Sequence, residues 1–230
     1  MTESVREQTA PPVVRPLSDD DEATLRRLFH ETMVMGRPLP FSLADGGRYE
    51  SLCLDWYLGS GHENAVVVDA GGEIVGFALV CTDQGGYRRW VRGRAARYAV
   101  YSVVTLCHTN PRSPLARFHR CRLRDGWAMW RSAPPSYPAH AHVNVLPHRL
   151  ARWAGKILRE SVDERCRAAA VPGWYGEINA LVGTRASALE RVVGPIEHRA
   201  PNHTLTWLMG RPVERLTVTR AVPPVSEPAA

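Results

Sequence analysis

Between Ala139 and Leu146 the chain alternates strictly, and the alternation sorts side chains by chemistry. Successive residues of an extended strand point to opposite sides, so His140, His142 and Asn144 share one face while Ala141, Val143 and Val145 share the other. Imidazole ionises closest to neutrality, which makes His142 a candidate general base. Asn144 and His140 are then the candidate substrate contacts beside it. A second strand, Trp174 to Leu181, puts Tyr175, Glu177 and Asn179 on one face. Glu177 is a candidate for holding water or a substrate ammonium, and the Tyr175 hydroxyl is a candidate proton donor. Each also has a structural reading: a strand-interior histidine satisfied by hydrogen bonds, or a glutamate paired with an arginine.

Directly after the first strand comes Pro147-His-Arg-Leu-Ala-Arg-Trp-Ala-Gly155-Lys156, which opens a helix. Strand, short loop and helix start together make an anion site. Unpaired backbone N–H groups point at the ligand, and the helix dipole favours negative charge. Arg149, Arg152 and Lys156 are placed to contact a pyrophosphate or sugar phosphate. A solvated basic helix start would look the same. His140, His142 and His148 span a strand and a proline turn and lack a fourth ligand, so no metal site is expected.

The surrounding pattern supplies the elements that hold these residues. Val13 to Leu17 reads as a first strand, and Ser18 followed by Asp21 reads as the capped start of a helix through Met33. Leu52 to Leu58 reads as a further helical piece. Two apolar runs, 64–69 and 73–80, flank Gly71-Gly72 and read as a hairpin, with Gly76 marking a bulge or a close backbone approach. Helices are expected over 88–106 and 115–130, then from Leu150 or Trp153 to about Ala170, and over 186–193. Thr204 to Met209 reads as a final strand, prolonged through Leu216 to Val218. The expected organisation is a disordered lead at 1–12, one domain at 13–222 and a disordered tail at 223–230.

This ordered set resembles the GNAT N-acetyltransferase superfamily over most of 13–210. Residues 14–29 resemble its first strand and helix, Val66 to Val80 its central hairpin, His142 to Pro147 with the following helix its fourth strand and cofactor loop, and Ala186 to Gly194 its small helix before the last strands. The resemblance implies an α/β fold: a mixed central sheet flanked by helices, here with an enlarged helical segment (84–135) between the third and fourth strands. It implies acetyl-CoA as acyl donor, held by Val145, Leu146, Leu150, Ala151, Arg152, Trp153, Ala154, Gly155 and Lys156. The reaction it implies is direct attack of a primary amine on the thioester. The family loop reads Arg or Gln, two residues, Gly, one residue, then Gly or Ala. Here Leu150 takes the polar first position, Trp153 the central glycine, and Glu190 the position of a catalytic tyrosine. Those departures motivate a second reading, a binding or regulatory protein on the same fold.

Composition sets the outer limits. The 230 residues suffice for a domain that needs no disulfide or metal to fold. The five cysteines, Cys53, Cys81, Cys107, Cys121 and Cys166, form no CxxC pair and are expected as buried free thiols. Cys166 has no base argued beside it and is not expected to act as a nucleophile. No run is apolar enough for a membrane span and the first residues are polar, so the expectation is a cytoplasmic protein without a membrane partner. The net charge of +6 is uneven: Arg88 to Arg131 holds eleven arginines and one acid, Asp125. That segment suits a cover over an acceptor cleft that selects an acidic substrate, or a homodimer surface. A small-molecule or peptide amine is the expected acceptor, and nucleic acid is the least favoured partner because no recognition motif is present.

Overall fold

Valine-rich runs set the centre of the sheet. In the computed structural model, which describes residues 12–43, 46–146, 151–184 and 186–222, β2 (Val66–Asp69) and β3 (Ile74–Cys81) form the expected hairpin. Gly71 and Gly72 both take positive φ at its turn, a conformation glycine adopts without a Cβ penalty. Every residue of β3 is buried, so both faces of this strand are covered. A Cβ at Gly76 would lie 3.0 Å from the Asn144 carbonyl oxygen and 3.3 Å from Leu158, and the register slips opposite it, between Val68 and Asp69. Both expectations for this glycine hold.

Seven strands make one sheet in the order β1-β2-β3-β4-β5-β7-β6, with β1 (Val13–Pro16), β4 (Ala139–Val145), β5 (Gly173–Leu181), β6 (Ile196–Pro201) and β7 (Val213–Ala221). Neighbours run antiparallel except β4 and β5, which are parallel. The mixed sheet flanked by helices is the fold class expected.

The helices divide between its faces. On one, α5 (Ala151–Ala168) buries Ala154, Leu158, Val162 and Cys166 against Val66, Val75, Ala141 and Trp174. On the other, α1 (Glu22–Thr32) and α2 (Gly46–Leu58) bury Leu25, Leu28, Leu54 and Tyr57 against Val67, Phe77 and Leu79. Ser18 begins the capping box anticipated: its backbone N–H and hydroxyl both donate to the Asp21 carboxylate, at 2.9 and 2.7 Å. The enlarged segment is a helical hairpin, α3 (Gln84–His108) and α4 (Pro114–Arg131), capped by Asp83 and Ser113.

The C-terminal part differs from expectation. Thr204–Met209 is helix, not strand: it lies in α7 (His203–Met209), and the last strands are β6 and β7 on either side of it. Three caps stabilise this short helix. The Asn202 side chain accepts from Leu205 N–H at 2.9 Å, Gly210 closes the far end in the left-handed conformation, and Asp125 of α4 accepts from the backbone N–H groups of His203 and Thr204 at 2.7 and 3.1 Å. The small helix α6 (Ala186–Val192) lies where expected. All five cysteines are free thiols, but Cys107 is exposed on α3 rather than buried, and Cys53 is half-buried.

Candidate active site

The site is built on a split in the sheet. The parallel strands β4 and β5 pair only at Ala139–Trp174 and His140–Tyr175, after which no register continues between them. Each stays fully paired on its other side, β4 to β3 through Val145 and β5 to β7 through Leu181. The two strands therefore diverge from an apex at His140 and Tyr175. The Leu146 N–H donates to Val75 at 2.9 Å. By alternation the N–H groups of Val143 and Val145 lie on the opposite edge, facing the split.

Side chains mark the split as a cleft. His142, Val143, Glu177 and Asn179 are exposed, although they sit in central strands whose neighbours are buried. His142 lies edge-on to the Tyr57 ring at 5.4 Å. Surrounding protein lowers its pKa towards about 4, while the open face of the ring argues for the direction rather than the full extent. A neutral His142 can accept a proton. Across the split, the protein crowded around the Glu177 carboxyl raises its pKa, the open side chain arguing for the direction rather than a large extent, and the Arg215 and Arg122 guanidiniums oppose that rise. Arg215 Nε stands 3.4 Å from the Glu177 carboxylate. Asn144 donates to Thr32 Oγ1 at 3.2 Å, which ties the floor of the cleft to the end of α1.

His140 behaves differently from the expectation of a substrate contact. It is only 4% exposed, and both ring nitrogens are occupied. Tyr57 Oη lies 2.5 Å from Nε2, and Gln84 Oε1 lies 2.8 Å from Nδ1. The Gln84 amide donates in turn to Tyr175 Oη at 3.2 Å. With the amide in this orientation, His140 Nδ1 carries the proton and Nε2 accepts from Tyr57. Burial first, then His142 and Arg88, hold its pKa well below the ordinary value. His140 is a neutral strut beneath the cleft because helices α2 and α3 cover its strand position. Tyr175 keeps its own hydroxyl proton free, since Gln84 donates to it, and burial raises its pKa. Tyr57, Gln84, Arg122 and Arg215 were not anticipated. Their partners are remote in sequence, 83 residues for Tyr57 and His140, and no local pattern signals them.

The helix after β4 is described from Ala151 onward, and its first described turn follows β4 closely in the chain. Arg152 and Trp153 are exposed there, and Lys156 pairs with Glu160 at 3.7 Å. Gly155 has open space around its α-carbon. The Ala154 methyl packs into the core against β2 and β3, which leaves its backbone as the part that can serve a ligand. Val145 packs partly into the same core, and the Leu146 N–H is already used by Val75. Leu150, with Pro147, His148 and Arg149, lies outside the described residues. Glu190 is exposed on α6. A concavity of about 450 Å³ lies elsewhere, between α4 and α7. The chemical reading rests on the split and the groups around it.

No protein-family profile matches the chain, and no curated protein matches it. Solved structures do. SsHAT aligns with a TM-score of 0.61 and 23% identity, over 93% of this chain and 100% of that one. The putative acetyltransferase YncA of Salmonella typhimurium, solved with its cofactor acetyl-CoA, gives 0.53 at 13% identity over 96% and 99%. The polyamine N-acetyltransferase of Drosophila melanogaster, which forms N-acetylagmatine, gives 0.53 at 16% identity over 92% and 100%. At these identities the likeness is one of fold: the chain has the GNAT-like α/β fold. Among the described residues no helix is long and apolar enough to cross a membrane.

Proposed function

We propose that the chain transfers an acetyl or other acyl group from a coenzyme A thioester to a primary amine, in the cytoplasm. The observation that carries this reading is the β4–β5 split, with His142 and Glu177 exposed on the strands to either side of it and the first described turn of α5 following β4. The residues present fit the cofactor: first-turn N–H groups from Ala151 onward and the exposed Arg152 suit a pyrophosphate, and the β4 edge suits an extended acyl-pantetheine arm. When bound, the thioester supplies an activated acyl carbon.

The chain's own residues account for the rest. Glu177 attracts the acceptor ammonium and, with His142, takes the proton that the amine must lose before it attacks. The Val143 N–H, on the edge facing the split, is aimed where a carbonyl oxygen gains charge. Tyr175, protonated at neutral pH, is the candidate donor to the departing sulfur. Asn144, fixed by Thr32, lines the acceptor side.

A calorimetric titration with acetyl-CoA, alongside free coenzyme A, tests the reading. Micromolar saturable binding that weakens on Arg152→Ala is expected, followed by thiol release with an amine panel. No binding up to millimolar cofactor in a folded protein would remove it. The exposed Trp153 indole in the first turn of α5 favours one alternative, a binding protein without transfer. Tight binding with no turnover on any amine would select that alternative.

A further inference from the structure

The α3–α4 hairpin carries charge that acyl transfer does not use. Along α4, Arg117, Arg120, Arg124, Trp127 and Arg131 recur at intervals of three and four residues, and all five are exposed. They form one stripe about 21 Å long on a helix rising about 1.5 Å per residue. Beside its first half runs α7. Between the two helices opens the pocket of about 450 Å³, lined by Arg117, Arg120 and Arg124 on one side and by His203, Trp207 and Arg211 on the other.

These cations lack anions. Arg117 lies over the Trp207 ring at 5.1 Å, and Arg131 over the Trp127 ring at 5.9 Å. Arg120 donates to the Pro111 carbonyl at 2.7 Å. Among the described residues none of Arg117, Arg120, Arg124, Arg131 and Arg211 has a carboxylate partner, whereas the neighbouring Arg122 lies 3.9 Å from Asp125. The single acid of α4, Asp125, is turned inward and spent on the α7 N-terminus, where the Thr204 hydroxyl also donates to it at 2.6 Å. Like charges along one groove repel unless an anion lies among them.

We propose that the α4–α7 groove and the stripe beyond it bind the phosphate chain of a single-stranded nucleic acid. The stripe outruns the pocket, so the fitting ligand is extended rather than a single phosphate. The guanidiniums of Arg117, Arg120 and Arg124 rise by roughly 4.5 and 6 Å along the axis and that of Arg131 follows roughly 10.5 Å further on, and a flexible strand can bring a phosphate to each. Arginine, with its planar fork, matches phosphate oxygens in pairs. At the open end Trp127 and Trp130 stand 5.0 Å apart and are 59% and 75% exposed, a platform on which bases stack. The groove has two basic walls, which a flat bilayer would not enter. The proposal is independent of the acyl-transfer reading.

The test is fluorescence anisotropy of labelled twelve-nucleotide oligouridylate and oligothymidylate with the full chain. Phosphatidylglycerol vesicles and polyaspartate run in parallel. Saturable binding is expected at about 50 mM salt, with a logarithmic salt slope of about −2 to −3, as three or four arginines meeting single-strand phosphates would give. Arg117→Ala/Arg120→Ala/Arg124→Ala should weaken binding at least tenfold and flatten that slope. Arg120→Gln/Arg124→Gln, which leaves the Arg117–Trp207 contact intact, should act in the same direction if the triple variant fails to fold. Trp127→Ala/Trp130→Ala should weaken binding and leave the slope unchanged. No oligonucleotide binding, binding indifferent to the arginine variants, or equal or tighter binding to vesicles or polyaspartate would overturn the proposal.

Discussion

Tyr57 Oη and His140 Nε2 meet at 2.5 Å beneath the floor of the cleft, joining α2 to β4 where the two sheet halves diverge. Both residues are buried. Tyr57→Phe removes the only donor to this nitrogen among the described residues and leaves an enclosed acceptor unpaired. A loss of about 1–3 kcal/mol is expected, read from urea unfolding at neutral pH. Unchanged stability would show that the contact contributes nothing.

Acid should destabilise the protein earlier than its carboxylates alone would require. Burial lowers the pKa of His119 and His140, and His142 is shifted the same way. Below the ordinary histidine value the unfolded chain binds protons that the folded chain refuses. Stability is therefore level above that value and falls as pH drops below it. His140 alone should account for about 1 kcal/mol between pH 6.5 and 5.5, and His142, open to solvent, for less. At lower pH Asp21 adds a second loss, because hydrogen bonds from Arg15 hold its carboxyl below the usual range. Urea midpoints from pH 8 to 4 check the curve; a flat profile down to pH 5 would contradict it.

Activity should respond to the two cleft groups separately. Glu177→Gln and His142→Ala should each lower kcat/KM by about 100-fold if each moves or holds the amine proton. Burial raises the Glu177 pKa, so the rate should fall as pH drops through a value above that of an ordinary glutamate. Arg215 opposes the rise. Arg215→Met should therefore shift that acid limb to higher pH, a displacement that mere loss of packing would not produce.

Gly194 is predicted to tolerate no side chain. Its φ is +148°, and an added Cβ would stand 2.1 Å from the Thr219 carbonyl oxygen. Gly194→Ala must push β7 away from the junction of α6 and β6. The expected cost is about 3 kcal/mol or more, roughly 6–12 °C in Tm, measured by thermal unfolding.

Asp125→Asn keeps the size of the side chain but removes the charge from the N-terminus of α7. One carboxylate oxygen accepts from the backbone N–H and hydroxyl of Thr204, and the other from His203 N–H. The amide group can accept at only one of its two ends, so a loss of about 1–2 kcal/mol is expected. Circular dichroism under urea would register it.

What was legible in the chain was local. The β2–β3 hairpin announces itself through Gly71-Gly72, and β4 through its alternation, which puts His142 and Asn144 on one face, the one that α1 and α2 approach. The basic hairpin α3–α4 follows from its proline-bounded helices. Thr204–Met209 misleads because two threonines alternate with apolar residues in a segment too short to show helical period. The decisive cap, Asp125, lies 78 residues away. His140 misleads in the same manner: its strand face is legible, but the residues that bury it, Tyr57 and Gln84, come from helices that only the tertiary structure brings over it. For Ala154 the helix start is legible, and its inward side is set by packing on β2 and β3.

The shared apex of β4 and β5 also has a mechanical side. Two paired positions join the halves of the sheet along this seam, and beyond them β4 runs on for five residues to Val145. That free length is about 17 Å at about 3.3 Å per residue. A rotation of about 4° at the apex would move the far end by about 1 Å, comparable to the tolerance of a reacting geometry. The seam thus works as a lever whose fulcrum is His140 and Tyr175, with Gln84 bridging them. Substitutions at His140 or Gln84 should change the aperture of the cleft without replacing any group that meets substrate.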